Sequence, residues 1–173
     1  YNNGNGISLA PPTQGDVLTA THNLKDKDGL GPVSYQWTHA GQSNVIQTSD
    51  TYTLVQDDVG KQLTAIANYI DGEGTPESVP SAPTGVVVNI NDTPIAVDDS
   101  LTVDEGGTAT SLAGGAISVL ANDTDIDVDP LTAILVTGPS NMSGFELNAD
   151  GTFSYTHDGS ETTSDSVTYK AND

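Results

Sequence analysis

Short runs rich in Val, Ile, Thr, Tyr and Leu recur along this chain, separated by Gly, Asp, Asn and Pro. A spacing of about 8–12 residues between such runs is the signature of an all-β sandwich or barrel. Val33-Ser-Tyr35-Gln-Trp37 and Leu63-Thr-Ala65-Ile-Ala67-Asn-Tyr69 alternate with period two, as a strand with one buried face does. The pattern predicts strands at 6–9, 16–22, 33–39, 44–47, 51–54, 62–70 and 78–89, with a short helical turn within 56–60. It predicts further strands at 95–97, 100–103, 116–120, 131–136, 144–147, 152–156 and 166–171. Asp150-Gly151, between two alternating runs, reads as a tight hairpin. Pro94 cannot continue a central ladder and biases Thr93 away from helix, so the junction falls there. The expectation is two all-β sandwich domains in tandem, 1–92 and 93–173.

Charge changes the picture most. Twenty-four Asp and Glu face four Lys and no Arg, for a formal net charge of −20. Residues 1–92 hold ten acids and three Lys, and residues 93–173 hold fourteen acids and one Lys. Such a surface is repelled by nucleic acid and by anionic membranes, which sets both aside as partners. Self-repulsion on this scale opposes compaction unless cations offset it. There is no cysteine, hence neither a disulfide nor a thiolate–zinc staple. No run is long enough to span a bilayer, so no membrane insertion is expected of these residues.

The acids cluster. Asn122-Asp-Thr-Asp-Ile-Asp-Val-Asp-Pro130 puts carboxylates at Asp123, Asp125, Asp127 and Asp129. In a plain strand all four would share one face, which their mutual repulsion opposes. A loop wrapped around a hard cation removes the conflict, because calcium takes about six to eight oxygen ligands. The segment is not an EF-hand, since Val128 stands where that loop needs glycine and Ile134 where it needs glutamate. A solvated acidic loop with Asp-Pro turn chemistry is the plainer alternative. Trp37 alternates inward and is expected in a core. His22, His39 and His157 show no ligand spacing, and no nucleophile is placed beside a base, so no catalytic residue is assigned and the chain is read as a non-enzyme.

Several motifs then fall into a known order. Asp28-Gly-Leu-Gly31, Ser34-Tyr-Gln-Trp37, Thr51-Tyr-Thr-Leu54, Gln56-Asp-Asp-Val-Gly-Lys61 and Asp71-Gly-Glu-Gly-Thr75 resemble an immunoglobulin-like repeat of giant bacterial RTX-type adhesins secreted by the type I route. Asn91-Asp-Thr-Pro94, Asp104-Glu-Gly-Gly107, Val119-Leu-Ala-Asn-Asp-Thr-Asp125, Leu147-Asn-Ala-Asp-Gly151 and Asp165-Ser-Val-Thr-Tyr169 resemble the cadherin-like tandem repeats of the same proteins. The resemblance implies two Greek-key sandwiches, immunoglobulin-like and then cadherin-like. Repeats of this kind continue with a glycine turn and a last strand, so the second domain is expected to be one strand short at Asp173. Either the sequence is cut there, or the domain is split and hosts an insertion.

The resemblance also implies where calcium (Ca2+) would bind. By cadherin-like topology, Asn91, Asp92, Asp125, Asp127 and Asp173 gather at the junction, the Asn91 carbonyl included, with Asp123 and Asp129 on the same loop. Asp57, Asp58, Asp104 and Glu105 are weaker candidates. Asp26, Asp28, Asp71 and Glu73 would gather at the opposite pole of the first domain, either as a half-built site or as two metal-free Asp-Gly turns. The expected role is a calcium-binding structural extender on the bacterial cell surface, monomeric. Its partners would be neighbouring repeats of the same chain, with host or surface ligands reached through other domains. The alternative is a ligand-binding module for sugar, peptide or ice, or a split host domain near an adhesin tip.

Overall fold

The computed structural model describes residues 10–173, and the strand expected at 6–9 lies outside them. The described residues fall into two compact units that part between Ile90 and Asn91, two residues before the expected boundary. Both units are built of antiparallel strands, and the fold is all-β. Among the described residues the helical content is one 3-10 turn, Gln56–Asp58, inside the predicted 56–60. Among the described residues no helix is long and apolar enough to cross a membrane.

In the first unit, β1 (Val17–Thr19) pairs with β4 (Thr51–Thr53), and β3 (Val45–Gln47), β2 (Ser34–His39), β5 (Leu63–Ile70) and β6 (Pro76–Pro80) form a second sheet in that order. The period-two pattern decides what faces inward. Trp37 from β2 and Leu63 from β5 are buried with Leu54 and Val87, and Leu18 and Tyr52 of the two-stranded sheet pack onto them. Side chains of both sheets therefore meet in one core, which is what makes a sandwich. Trp37 stacks on Tyr52 with ring centroids 6.1 Å apart, and its indole N–H donates to the Ser49 carbonyl at 3.0 Å.

The run at 78–89 was expected as one strand, and it is not one. Proline has no N–H to give a ladder. β6 ends at Pro80, and after Pro83 the chain still runs beside the start of β5, the Thr84 and Val87 N–H groups donating to the Leu63 and Lys61 carbonyls, while Val87 and Val88 make isolated parallel bridges to Val59 and Thr13. Val87 is buried there, 2% exposed.

In the second unit, β7 (Thr108–Ala109), β10 (Phe153–His157) and β9 (Met142–Leu147) form one sheet, and β8 (Thr132–Thr137) pairs with β11 (Thr168–Asn172) in another. β9 and β10 make the hairpin expected at Asp150-Gly151, with Gly151 at φ +80°. Phe153, Tyr155, Ala133 and Ala171 are buried, together with His157. The strands expected at 95–97 and 116–120 shrink to single bridges, Ile95 to Thr124 and Ser118 to Thr152. Residues 100–103 join no ladder, although their exposure alternates as a strand's would.

Candidate metal centre

The loop between the Ile95–Thr124 bridge and β8 carries the acids. One carboxylate oxygen from each of Asp125, Asp127 and Asp129 lies within 4.8 Å of the others. Oxygens bound to a single calcium at about 2.4 Å can stand at most about 4.8 Å apart, so the trio spans one coordination sphere. The loop folds back on itself. The Asp127 N–H donates to Asp125 Oδ1 at 2.8 Å, and the Asp92 N–H donates to Asp127 Oδ2 at 2.7 Å. The Asn91 side-chain amide donates to the Asp173 carboxylate. Residues 91–92, the acidic loop and the end of β11 are thus tied together within the second unit.

Two features of this loop have no local explanation. Asp125 Oδ2 is enclosed and meets no hydrogen-bond donor. Leaving such an atom unsatisfied costs about 1–3 kcal/mol, more for a charged group. Val128, a β-branched residue, sits at φ +63°. That conformation costs on the order of 1–3 kcal/mol and persists where the surroundings over-determine it. A hard cation among the three carboxylates would answer both, giving Asp125 Oδ2 its partner and the loop its shape. The residues present fit calcium.

The other candidates are placed differently. Asp123 turns away from the trio. Its Oδ1 accepts the Val97 N–H at 2.8 Å, and its carboxylate accepts the Tyr169 hydroxyl at 3.1 Å. Asp58 is 1% exposed and accepts from Tyr52 Oη, the Val55 N–H and His39 Nε2 at 2.8–2.9 Å, so it serves the interior of the first unit. Asp57, beside it, is exposed. Asp104 and Glu105 lie exposed in a turn closed by the Gly107 N–H on the Asp104 carbonyl.

Asp26, Asp28 and Asp71 form a second group within reach of one ion, and Glu73 is not part of it. Turn packing also draws this group together. Two Asp-Gly turns press together, with the Gly72 N–H on the Gly29 carbonyl at 3.1 Å. A Cβ at Gly72 would fall 1.9 Å from the Asp28 carbonyl oxygen, so only glycine permits the approach. The carboxylates are also engaged. Asp26 accepts the Asp28 N–H and the Tyr69 hydroxyl, and Asp71 accepts the Glu73 and Thr75 N–H groups.

Tyrosine hydroxyls on carboxylates were not foreseen, because no fixed spacing marks them: Tyr52 and Asp58 are 6 residues apart, Tyr169 and Asp123 46. Burial, then the hydrogen bond from its hydroxyl to Asp123, raises Tyr169 well above the ordinary tyrosine range. Burial likewise raises Asp99, against the stabilising Tyr169 hydrogen bond. Tyr52 is pushed up to about 12, by burial first and by its hydrogen bond to Asp58 second. The unfolded chain releases this proton near pH ~10, so the stability Tyr52 adds is complete below that and is lost as pH rises towards 12. Trp37 fluorescence in urea should show the unfolding midpoint of the first unit falling across that interval. Tyr52→Phe should flatten the fall, and an unchanged pH profile in that variant would refute the assignment.

Residues 91–173 match the model of the bacterial cadherin-like domain. The match begins and ends where the second compact unit does, and that unit is all-β. A solved structure described as the D00-D0 domain of Intimin is 16% identical, over 92% of this chain and 93% of that one. Its TM-score of 0.28 is too low for that likeness to carry an argument. No curated protein matches the chain.

Proposed function

We propose that this chain is a calcium-binding structural extender of a bacterial surface adhesin of the RTX type, exported by the type I route, extracellular and monomeric. The observation that carries this reading is the trio Asp125, Asp127 and Asp129 with the enclosed, unpartnered Asp125 Oδ2. Asp92 and Asn91, where the chain enters the second unit, are hydrogen-bonded to Asp127 and Asp173. An ion held by this loop would fix the entering segment to the body of the domain. Free of the ion, the clustered acids repel one another and the segment loosens, so that binding energy is expressed as order and stiffness. The bacterial cadherin-like match supports a structural role over a catalytic one. Neighbouring repeats of the same chain are the immediate partners, and any host or surface ligand is left to other domains.

The test is small-angle scattering of the whole chain in millimolar calcium and in chelator. The expected result is a narrower distribution of particle dimensions with calcium. Superimposable profiles in the two buffers would remove the extender role.

A further inference from the structure

We propose that His157 is a proton-operated latch: when its ring takes up a proton, Nδ1 releases the Gly159 and Gly106 N–H groups and turns to Asp158, so that residues 158–164 loosen in mild acid while the sheet stays folded. The first observation is the ring's position. His157 ends β10 and is buried, 7% exposed. Tyr155 lies edge-on to it, with ring centroids 6.5 Å apart. The turn 104–107 closes on it, and there the His157 N–H donates to the Gly107 carbonyl at 3.0 Å. Residues 158–164 follow directly and belong to no strand, so side-chain contacts hold them.

The second observation fixes where the ring's hydrogen sits. A backbone N–H can only donate. Nδ1 meets two of them, from Gly159 at 3.1 Å and from Gly106 at 3.5 Å. Nδ1 is therefore the bare nitrogen and the hydrogen is on Nε2, which donates to Thr162 Oγ1 at 3.2 Å. The neutral ring thus holds the loop at Gly159 and Thr162, and the turn at Gly106. A second proton has only Nδ1 to go to, where it would face two N–H groups. Those two contacts must then break.

The third observation is what receives the charged ring. Asp158 Oδ1 stands 3.8 Å from Nδ1. The Ser160 hydroxyl, then the Ser160 N–H, hold Asp158 below the usual carboxylate range, so it is still an anion in mild acid. The charged groups on the other surrounding elements are acidic too. They are Asp104 and Glu105 in the turn, Glu161 and Asp165 in the loop, and Asp98 and Asp99 across the space that His157 borders. Such surroundings accommodate a cation, which lets the ring charge in place. The far end of the loop is anchored separately. Asp165 accepts the Ser140 and Asn141 N–H groups at 3.0 and 2.7 Å. Burial raises this carboxyl, but its hydrogen bonds outweigh burial and hold it below the usual range. That anchor keeps its charge in mild acid, which confines the loosening to the His157 end.

The experiment is heteronuclear NMR of the isotope-labelled whole chain between about pH 7 and about pH 5, once in calcium and once in chelator. At the upper end the ring should carry its hydrogen on Nε2. As it takes up a proton, the Gly106 and Gly159 amide signals should shift in step. Their exchange, corrected for its intrinsic pH dependence, should quicken about tenfold, with the Ser140 and Asn141 amides unchanged. His157→Asn keeps an acceptor near the Nδ1 position and does not titrate, so both glycine signals should lose their pH response. Asp158→Ser keeps an acceptor for the turn without the charge, and should carry the transition to lower pH by about 0.5. The response should be the same in both buffers, because no contact joins this ring to the Asp125–Asp127–Asp129 trio. A hydrogen on Nδ1 at the upper pH, glycine signals indifferent to the ring's proton, or an undiminished response in His157→Asn would overturn the proposal. So would an unmoved transition in Asp158→Ser, or unfolding of the whole second unit in the same step.

Discussion

Saturating calcium should raise the melting temperature of the second unit by about 10–20 °C, and Asp129→Asn should remove most of that rise. The magnitude follows from linkage. A ligand at about a hundred times its dissociation constant adds about 2.7 kcal/mol to the stability of the form that binds it. In a domain of roughly 60–100 residues each kcal/mol is worth about 4–8 °C. Asp129 is the informative position because it is the exposed member of the trio. Asp127 receives the Asp92 N–H and Asp125 the Asp127 N–H, so changing either would disturb the loop as well as the site. In chelator, Asp129→Asn should melt at or slightly above the parent temperature, because one of three crowded anions is gone. Calorimetry reads both units, while fluorescence of Trp37, the single tryptophan, follows the first unit alone and separates the transitions. A calorimetric trace insensitive to calcium would sink the metal assignment whatever the variant does.

Local patterns in the sequence were enough to find most of the strands and the acidic loop, and nothing local could find the rest. β2 and β5 are readable because burial on one face forces period two on their side chains. The 3-10 turn and the Asp150-Gly151 hairpin are readable because backbone geometry restricts which residues can sit there. The break after Pro80 was missed because Thr84–Asn89 has strand composition, and only its long-range hydrogen bonds and the burial of Val87 reveal its use. Asp123 shows the same limit at the site. Its spacing is the same as that of Asp125, Asp127 and Asp129, but its partners Val97 and Tyr169 lie 26 and 46 residues away. Spacing identifies carboxylates that could reach one ion, and long-range contacts decide which of them stay close enough to do so.

Asp58→Ala should destabilise the first unit by about 3–5 kcal/mol, the usual cost of breaking a buried, hydrogen-bonded charged group. That is a large part of the roughly 5–15 kcal/mol that holds a small domain together. In sequence Asp58 is one of two adjacent acids and looks like a surface ligand. In the fold it is 1% exposed while Asp57 is solvated, because a 3-10 turn sends neighbouring side chains in different directions. Its carboxylate gathers His39 from β2, Tyr52 from β4 and the Val55 N–H from the turn's own start, which locks the turn to both sheets. Alanine strands all three groups in an apolar setting. Asparagine keeps one acceptor oxygen and should cost less, with Tyr52 returning towards its ordinary titration range as the anion is lost. The measurement is urea unfolding followed by Trp37, which stacks on Tyr52 and so reports this corner directly. A double-mutant cycle with Tyr52→Phe isolates the hydrogen bond, and coupling of about 0.5–3 kcal/mol is expected for partners in contact. If Asp58→Ala unfolds at the parent urea concentration, the carboxylate is not part of the core's support.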